Sequence, residues 1–161
     1  NLCYGTGGTK YTHIVTVYRN FDPSTQYKIC DRATGMCLAS SNSTAGSQVV
    51  RAAYNKSASQ KWMITQSAAG KYKVVNVQTG MSLDMAGGKT ALNTALVQAA
   101  YTNSATQQWA FTSVADGTGF FQLKPASVPA MTIGSATNSN NIQLQAWSWL
   151  DAQKMAVSLA N

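Results

Sequence analysis

Glutamate is absent from this sequence and histidine occurs once, as His13, so the side chains that most often move protons in active sites are scarce. The carboxylates are Asp22, Asp31, Asp84, Asp116 and Asp151, one per loop region. A glycosidase needs two carboxylates flanking one bond, and this spread pairs none of them. A Ser-His-Asp or Cys-His arrangement would have to use His13, and no Gly-x-Ser-x-Gly segment accompanies it. One histidine and the cysteines Cys3, Cys30 and Cys37 make no zinc spacing. The chain is therefore read as non-catalytic, with no metal and no cofactor.

Charge is thin as well. Only 11% of residues are charged, and 12 Lys and Arg against 5 Asp leave a net charge of +7. The cations run from Lys10 to Lys154 without bunching, so counterion release has no patch to act through and no nucleic acid is expected as a specific partner. Attraction to anionic glycans or cell surfaces is the better use of such a field. No apolar run reaches about 15 residues, so no transmembrane segment is expected. A surface rich in Ser, Thr, Asn and Gln suits a secreted protein, and a chain starting at Asn1 suits a processed or excised one. No window of about 12 residues carries a helical stripe, so helix should be minor, and 161 residues are enough for one domain with a real core.

What is present is repetition. Gln60-Lys61-Trp62, Gln107-Gln108-Trp109 and Gln153-Lys154-Met155 recur at steps of 47 and 46 residues (107 − 60 and 153 − 107). Their neighbours repeat too. Tyr54, Tyr101 and Trp147 each stand eight residues before the Trp62, Trp109 and Met155 positions. Upstream, Thr34 to Ala39 lies over Thr79 to Asp84, and Val128 to Thr132 takes that place in the third copy. A period of this size means one supersecondary unit used several times around a shared core. The copies run 26–70, 71–118 and 119–161, behind an N-terminal extension at 1–25.

Within each copy the local pattern is strand and turn. Gln26 to Cys30 and Lys71 to Asn76 alternate polar and apolar residues, and Thr34-Gly35 and Thr79-Gly80 supply turns, so each copy opens with a hairpin. Third strands are expected at Gln48-Val49-Val50, Leu96-Val97-Gln98 and Ile142-Gln143-Leu144, and fourth strands from Trp62, Trp109 and Met155. In the extension, His13 to Tyr18 alternates like a strand and Asp22-Pro23-Ser24 reads as a turn. Cys30 and Cys37 flank the first hairpin, where the second copy has Val75 and Ser82, so a cross-strand disulfide fits. Cys3 is then odd: it is free, or pairs with Cys30 or Cys37 and strands the other, or bonds to another chain.

Three four-stranded units of about 46 residues, each with Gln-x-Trp or a variant on its last strand, resemble the ricin B-type lectin family over residues 26–161. The resemblance implies an all-β fold, a β-trefoil with pseudo-threefold symmetry, with Trp62, Trp109 and Met155 in the core. It also implies shallow galactose-type sites. In that family an Asp after the Leu of the second strand accepts two sugar hydroxyls, an aromatic ring stacks on the sugar, and an Asn and the Gln of Gln-x-Trp complete the hydrogen bonds. A carboxylate suits the task because it only accepts, and charge-assisted bonds are the strong ones.

Carried onto this chain, the Asp position falls at Ala39, Asp84 and Thr132, the aromatic at Ala52, Ala99 and Gln145, and the Asn at Ser59, Thr106 and Ala152. Only the second repeat keeps a carboxylate. Its carbohydrate-binding set is read as Asp84 and Gln107, with Gln98, Tyr101 and Asn103 standing in for missing partners. In the third repeat Trp149, from Trp147-Ser148-Trp149-Leu150, is either a sugar-stacking platform or an anchor for a protein.

The resulting expectation is a lectin-like domain binding galactose-type glycans and targeting a secreted enzyme or toxin, with a catalytic or toxin chain attached through Cys3. The alternative is a degenerate trefoil that no longer binds sugar and acts as an interaction or scaffold subunit.

Overall fold

The computed structural model describes residues 20–161, so Cys3, His13 and the strand expected over 13–18 lie outside the described residues. Twelve strands are described, in three sets of four. The first set is β1 (Gln26–Asp31), β2 (Cys37–Ser40), β3 (Val49–Ala52) and β4 (Trp62–Ala68). The second is β5 (Lys71–Asn76), β6 (Ser82–Met85), β7 (Leu96–Ala99) and β8 (Trp109–Ser113). The third is β9 (Phe121–Pro125), β10 (Met131–Ser135), β11 (Ile142–Ala146) and β12 (Met155–Leu159). Helix among the described residues is confined to short 3-10 turns, three of which end on Gln60, Gln107 and Gln153.

The first and fourth strands of the sets close on one another. Antiparallel pairing runs β1–β4, β4–β5, β5–β8, β8–β9, β9–β12 and β12–β1, a six-stranded ring with no free edge. Closure removes the unpaired edges that would otherwise template aggregation. The remaining hairpins, β2–β3, β6–β7 and β10–β11, cap one end and touch each other through bridges Gln48–Val97, Val50–Asn141 and Ala95–Gln143. This is a β-trefoil with pseudo-threefold symmetry.

The core follows the repeat. Ile29, Val74 and Leu123 occupy one level, Leu38, Leu83 and Ile133 another, and Val49, Leu96 and Ile142 a third, all buried. Trp62, Trp109 and Met155 are fully buried in the same cluster, opposite Tyr27, Tyr72 and Phe121 on neighbouring strands. Both indoles donate N–H to a second-strand carbonyl, Trp62 to Leu38 at 3.0 Å and Trp109 to Leu83 at 3.1 Å. A buried indole needs such a partner. Met155 has no polar hydrogen and needs none.

Part of the segment ahead of β1 also belongs to the core. Phe21 is buried against Tyr27, Tyr72 and Phe111 with ring centroids 4.7 to 5.4 Å apart, after which Asp22 turns the chain by accepting from Thr25 N–H and Ser24 N–H. Cys30 and Cys37 are register partners on β1 and β2 and are joined by a disulfide. Asp31, buried at the end of β1, pairs with Arg51 at 3.5 Å, and Arg51 also donates to Ser139 O and Asn140 Oδ1, tying the first repeat to the third.

One expected alignment is corrected by strand register. Thr132 stands opposite Gln145, as Ser82 stands opposite Ala99 and Cys37 opposite Ala52. The counterpart of Asp84 and Ala39 is therefore Gly134, opposite Gln143, and not Thr132. Side chains alternate along a strand, so a shift of two keeps the face and moves the position. Thr132 itself is buried and donates to Leu123 O, as Ser82 donates to Val74 O.

Candidate functional site

The three repeated glutamines share one hydrogen-bond scheme. Each carbonyl accepts from a backbone N–H five residues earlier, Asn55 for Gln60, Thr102 for Gln107 and Ser148 for Gln153, at 2.8 to 2.9 Å. Each Nε2 donates to a carbonyl seven residues earlier, Ala53, Ala100 and Ala146, at 2.7 to 2.8 Å. The side chain thus staples the loop between the third and fourth strands onto the barrel. All three are buried, which is why the glutamine recurs in the sequence.

What differs is where the second Nε2 hydrogen goes. In the second repeat it reaches Asp84 Oδ2 at 3.1 Å. In the third it reaches Gln145 Oε1 at 3.1 Å, and in the first it finds only Ala52 O at 3.4 Å. Gly134 explains the third case: a Cβ placed there would stand 2.2 Å from Gln145 Oε1. Gln145 fills the space that an Asp would need, so the third repeat seals its own carboxylate position.

Asp84 is half-buried at the mouth of the second repeat. Its Oδ1 accepts from Met85 N–H at 2.7 Å and its Oδ2 from Gln107. An ionised carboxylate has about four acceptor positions, so each oxygen keeps one for a ligand hydroxyl. The neighbouring outward positions, Val97 across the ladder and Ala99 beyond it, are small. The loop that follows Asp84 opens a concavity of about 500 Å³ lined by Ala86, Gly87, Lys89, Leu92, Asn93 and Thr94 among others.

The other expected residues divide. Gln107 has both amide hydrogens and its carbonyl engaged inside the protein, so it braces Asp84 and is corrected from ligand contact to support. Gln98 is corrected as well. It is fully buried, accepts from Thr79 Oγ1 at 2.8 Å and donates to Asn42 O and Ser47 Oγ, pinning the 41–48 loop of the first repeat to the second. Tyr101 and Asn103 sit on the loop that Gln107 staples, with Tyr101 O–H donating to Asn103 Oδ1 at 2.8 Å and accepting from Gln108 Nε2 at 3.0 Å. Gln108 in turn accepts from Ser67 Oγ, and Lys73 Nζ covers the Tyr101 ring at 5.1 Å. The same cation–ring pair recurs as Lys28 over Tyr54 at 4.5 Å. That pairing escaped the sequence reading, although Lys28 and Lys73 follow Tyr27 and Tyr72 at matching places in the first two repeats. Trp149 is 55% exposed and stacks with Trp147, ring centroids 5.3 Å apart.

Asp116 and Asp151 share the cations Arg32 and Lys154. Lys154 Nζ lies 3.2 Å from each, and Arg32 lies 3.6 Å from Asp116 and 3.7 Å from Asp151. The Thr118 hydroxyl, then its N–H and Lys154, hold the Asp116 carboxyl down to about 2. These aspartates are structural ties among the three repeats. Among the described residues no group of His, Cys and Asp could hold a metal ion, and no helix is long and apolar enough to cross a membrane.

The structure is thus a closed β-trefoil whose second repeat holds a glutamine-braced carboxylate at its rim. The ricin-type β-trefoil lectin-like family model matches residues 16–99 and again 66–147, and the chain belongs to that family. Lectin-like trefoil domains of this family are typically non-catalytic. No curated protein matches the sequence. Among solved structures the chain is similar to the designed threefold-symmetric protein ThreeFoil, at TM-score 0.75 and 24% identity over 82% of this chain and 96% of that one. It is also similar to an exo-β-1,3-galactanase from Clostridium thermocellum, at TM-score 0.77 and 23% identity over 87% of this chain, and spans only 31% of that enzyme. A third similar structure is the Macrolepiota procera ricin B-like lectin in complex with lactose, at TM-score 0.72 and 16% identity, covering 88% of this chain and 99% of the lectin.

Proposed function

We propose that this domain binds a galactose-type glycan through Asp84 and so directs a secreted enzyme or toxin to sugar-bearing surfaces. The observation that carries the reading is the Asp84 carboxylate, braced by Gln107 and Met85 N–H with one acceptor position left on each oxygen. Two vicinal hydroxyls are the natural complement of two oriented acceptors. The lactose-bound lectin and the galactanase among similar folds support this ligand class. Membership of a lectin-like family supports binding rather than turnover as the role.

With Ala99 where an aromatic platform would stand, the single site is weak, and useful affinity comes from tethering or from several sites acting together. Calorimetric titration with lactose, alongside a glycan array, tests the reading: the wild type binds and Asp84→Ala does not. Unchanged binding by Asp84→Ala would move the site elsewhere.

The second reading, a trefoil that serves only as an interaction subunit, is favoured by one observation, the missing platform at Ala99 together with the sealed position at Gly134. It predicts silence on the array and, if Cys3 bonds a second chain, a band that shifts on a reducing gel.

A further inference from the structure

The third repeat has Gly134 where the second has Asp84, yet it carries the exposed aromatic surface. Trp149 stands four residues before its stapling glutamine, as Lys56 and Asn103 do in the other repeats, and all three have left-handed backbone, with φ of 65°, 68° and 60°. The stapled loop imposes this conformation whatever the side chain. Asn accepts it readily, whereas a bulky residue there is strained. The third repeat nevertheless places an indole at this point and leaves it 55% exposed, followed by Leu150 at 58%. Trp147 backs it at 5.3 Å with planes tilted by 54°, so the two rings make a shallow angled platform. Trp62 and Trp109, by contrast, are fully buried.

We propose that Trp147 and Trp149 form a second carbohydrate site, distinct from Asp84, that takes the apolar face of a pyranose ring. The ligand class rests on the sugar-binding reading above; the location does not. Two rings and one leucine expose roughly 300 Å², well short of the ~800 Å² per partner of a standard protein interface but enough to cover one sugar ring. The polar groups beside the platform suit hydroxyls. Ser148 Oγ is oriented by Gln153 Oε1 at 3.2 Å, and Asp151, two residues beyond Trp149 and half-exposed, is held in place by Lys154 and Arg32. Asp151 offers an oriented acceptor without carrying an unpaired charge. A site on the second repeat and another on the third give one domain two grips on a polymeric glycan, so that the second contact is intramolecular.

Tryptophan chemistry reads this site directly, because Trp149 is the one tryptophan of the four whose ring is exposed among the described residues. The probes are lactose, β-1,3-galactobiose and cellobiose, each added to the full chain while indole emission and the rate of N-bromosuccinimide oxidation are followed. At least one should blue-shift the emission and slow oxidation of the first tryptophan several-fold. The response should persist in Asp84→Ala and vanish in Trp149→Asn, a variant that suits the left-handed backbone and should melt no lower than the wild type. Trp149→Tyr should restore part of it.

Protection that persists in Asp84→Ala supports the indole site even if Asp84 itself binds nothing. Failure of all three sugars to protect Trp149 in the wild type would overturn the proposal, as would a response retained in Trp149→Asn or lost in Asp84→Ala.

Discussion

Gln107 Nε2 stands 3.1 Å from Asp84 Oδ2 while its other hydrogen is held by Ala100 O at 2.8 Å, so one buried amide fixes both the loop and the carboxylate. Gln107→Ala should then have two effects. It strands Thr102 N–H and Ala100 O and should cost about 2 kcal/mol of stability. It should also weaken lactose binding several-fold by freeing Asp84. Gln60→Ala should cost similar stability and leave lactose binding unchanged. Urea melts and calorimetry separate the two, and equal loss of binding in both variants would dissociate the brace from the site.

The indole core should be costly to open. Trp62→Ala and Trp109→Ala each remove a fully buried ring and leave the carbonyl of Leu38 or Leu83 without its donor, and each should destabilise by roughly 3–5 kcal/mol. Met155→Ala should fall toward the lower end of the ~2–5 kcal/mol range, since no hydrogen bond is lost. Chemical denaturation gives the order directly.

Gly134 and Gln145 should behave as a coupled pair. Gly134→Ala puts a Cβ 2.2 Å from Gln145 Oε1 and pushes that amide off Gln153, at about 1–3 kcal/mol. In a Gln145→Ala background the same substitution should cost markedly less. A double-mutant cycle with a coupling energy near zero would contradict the packing described.

Acid should loosen the tie that Asp116 makes among the three repeats. The Asp116 pKa is lowered from 3.8 to about 2 in the folded protein, so the unfolded chain binds the proton more tightly and the stabilisation is present above about pH 4 and lost as pH falls toward 2. Asp116→Asn should therefore lower the melting temperature at pH 6, with the gap to wild type closing between pH 4 and pH 2. A gap that holds constant to pH 2 would show that the carboxylate is not engaged as described.

Much of the fold is legible in the residues because its signal is repeated. Gln60, Gln107 and Gln153 at steps of 47 and 46 mark the same staple three times, and the apolar partners Trp62, Trp109 and Met155 mark the same core level. Asp84 is legible for the opposite reason, as the one acidic residue at a position that is Ala39 in the first repeat and Gly134 in the third. The role of Gln98 is not legible in the sequence because a polar residue on an alternating strand reads as outward-facing, whereas the 41–48 loop of another repeat folds over it and supplies its partners. The third-repeat counterpart of Asp84 is not legible either, because β10 carries no Leu-Asp landmark and register depends on which residues pair across strands.

By itself the sequence determined the period, the strand-rich character, the buried triad and the single surviving carboxylate, since each depends on local alternation or on residue identity at repeated positions. Tertiary structure decided that the repeated glutamines are braces, that Gln145 occupies the space beside Gly134, and that Trp149 stands out on a left-handed turn. Those outcomes depend on which atoms of distant segments meet, and a hydrogen-bond partner 50 residues away leaves no mark in the local pattern.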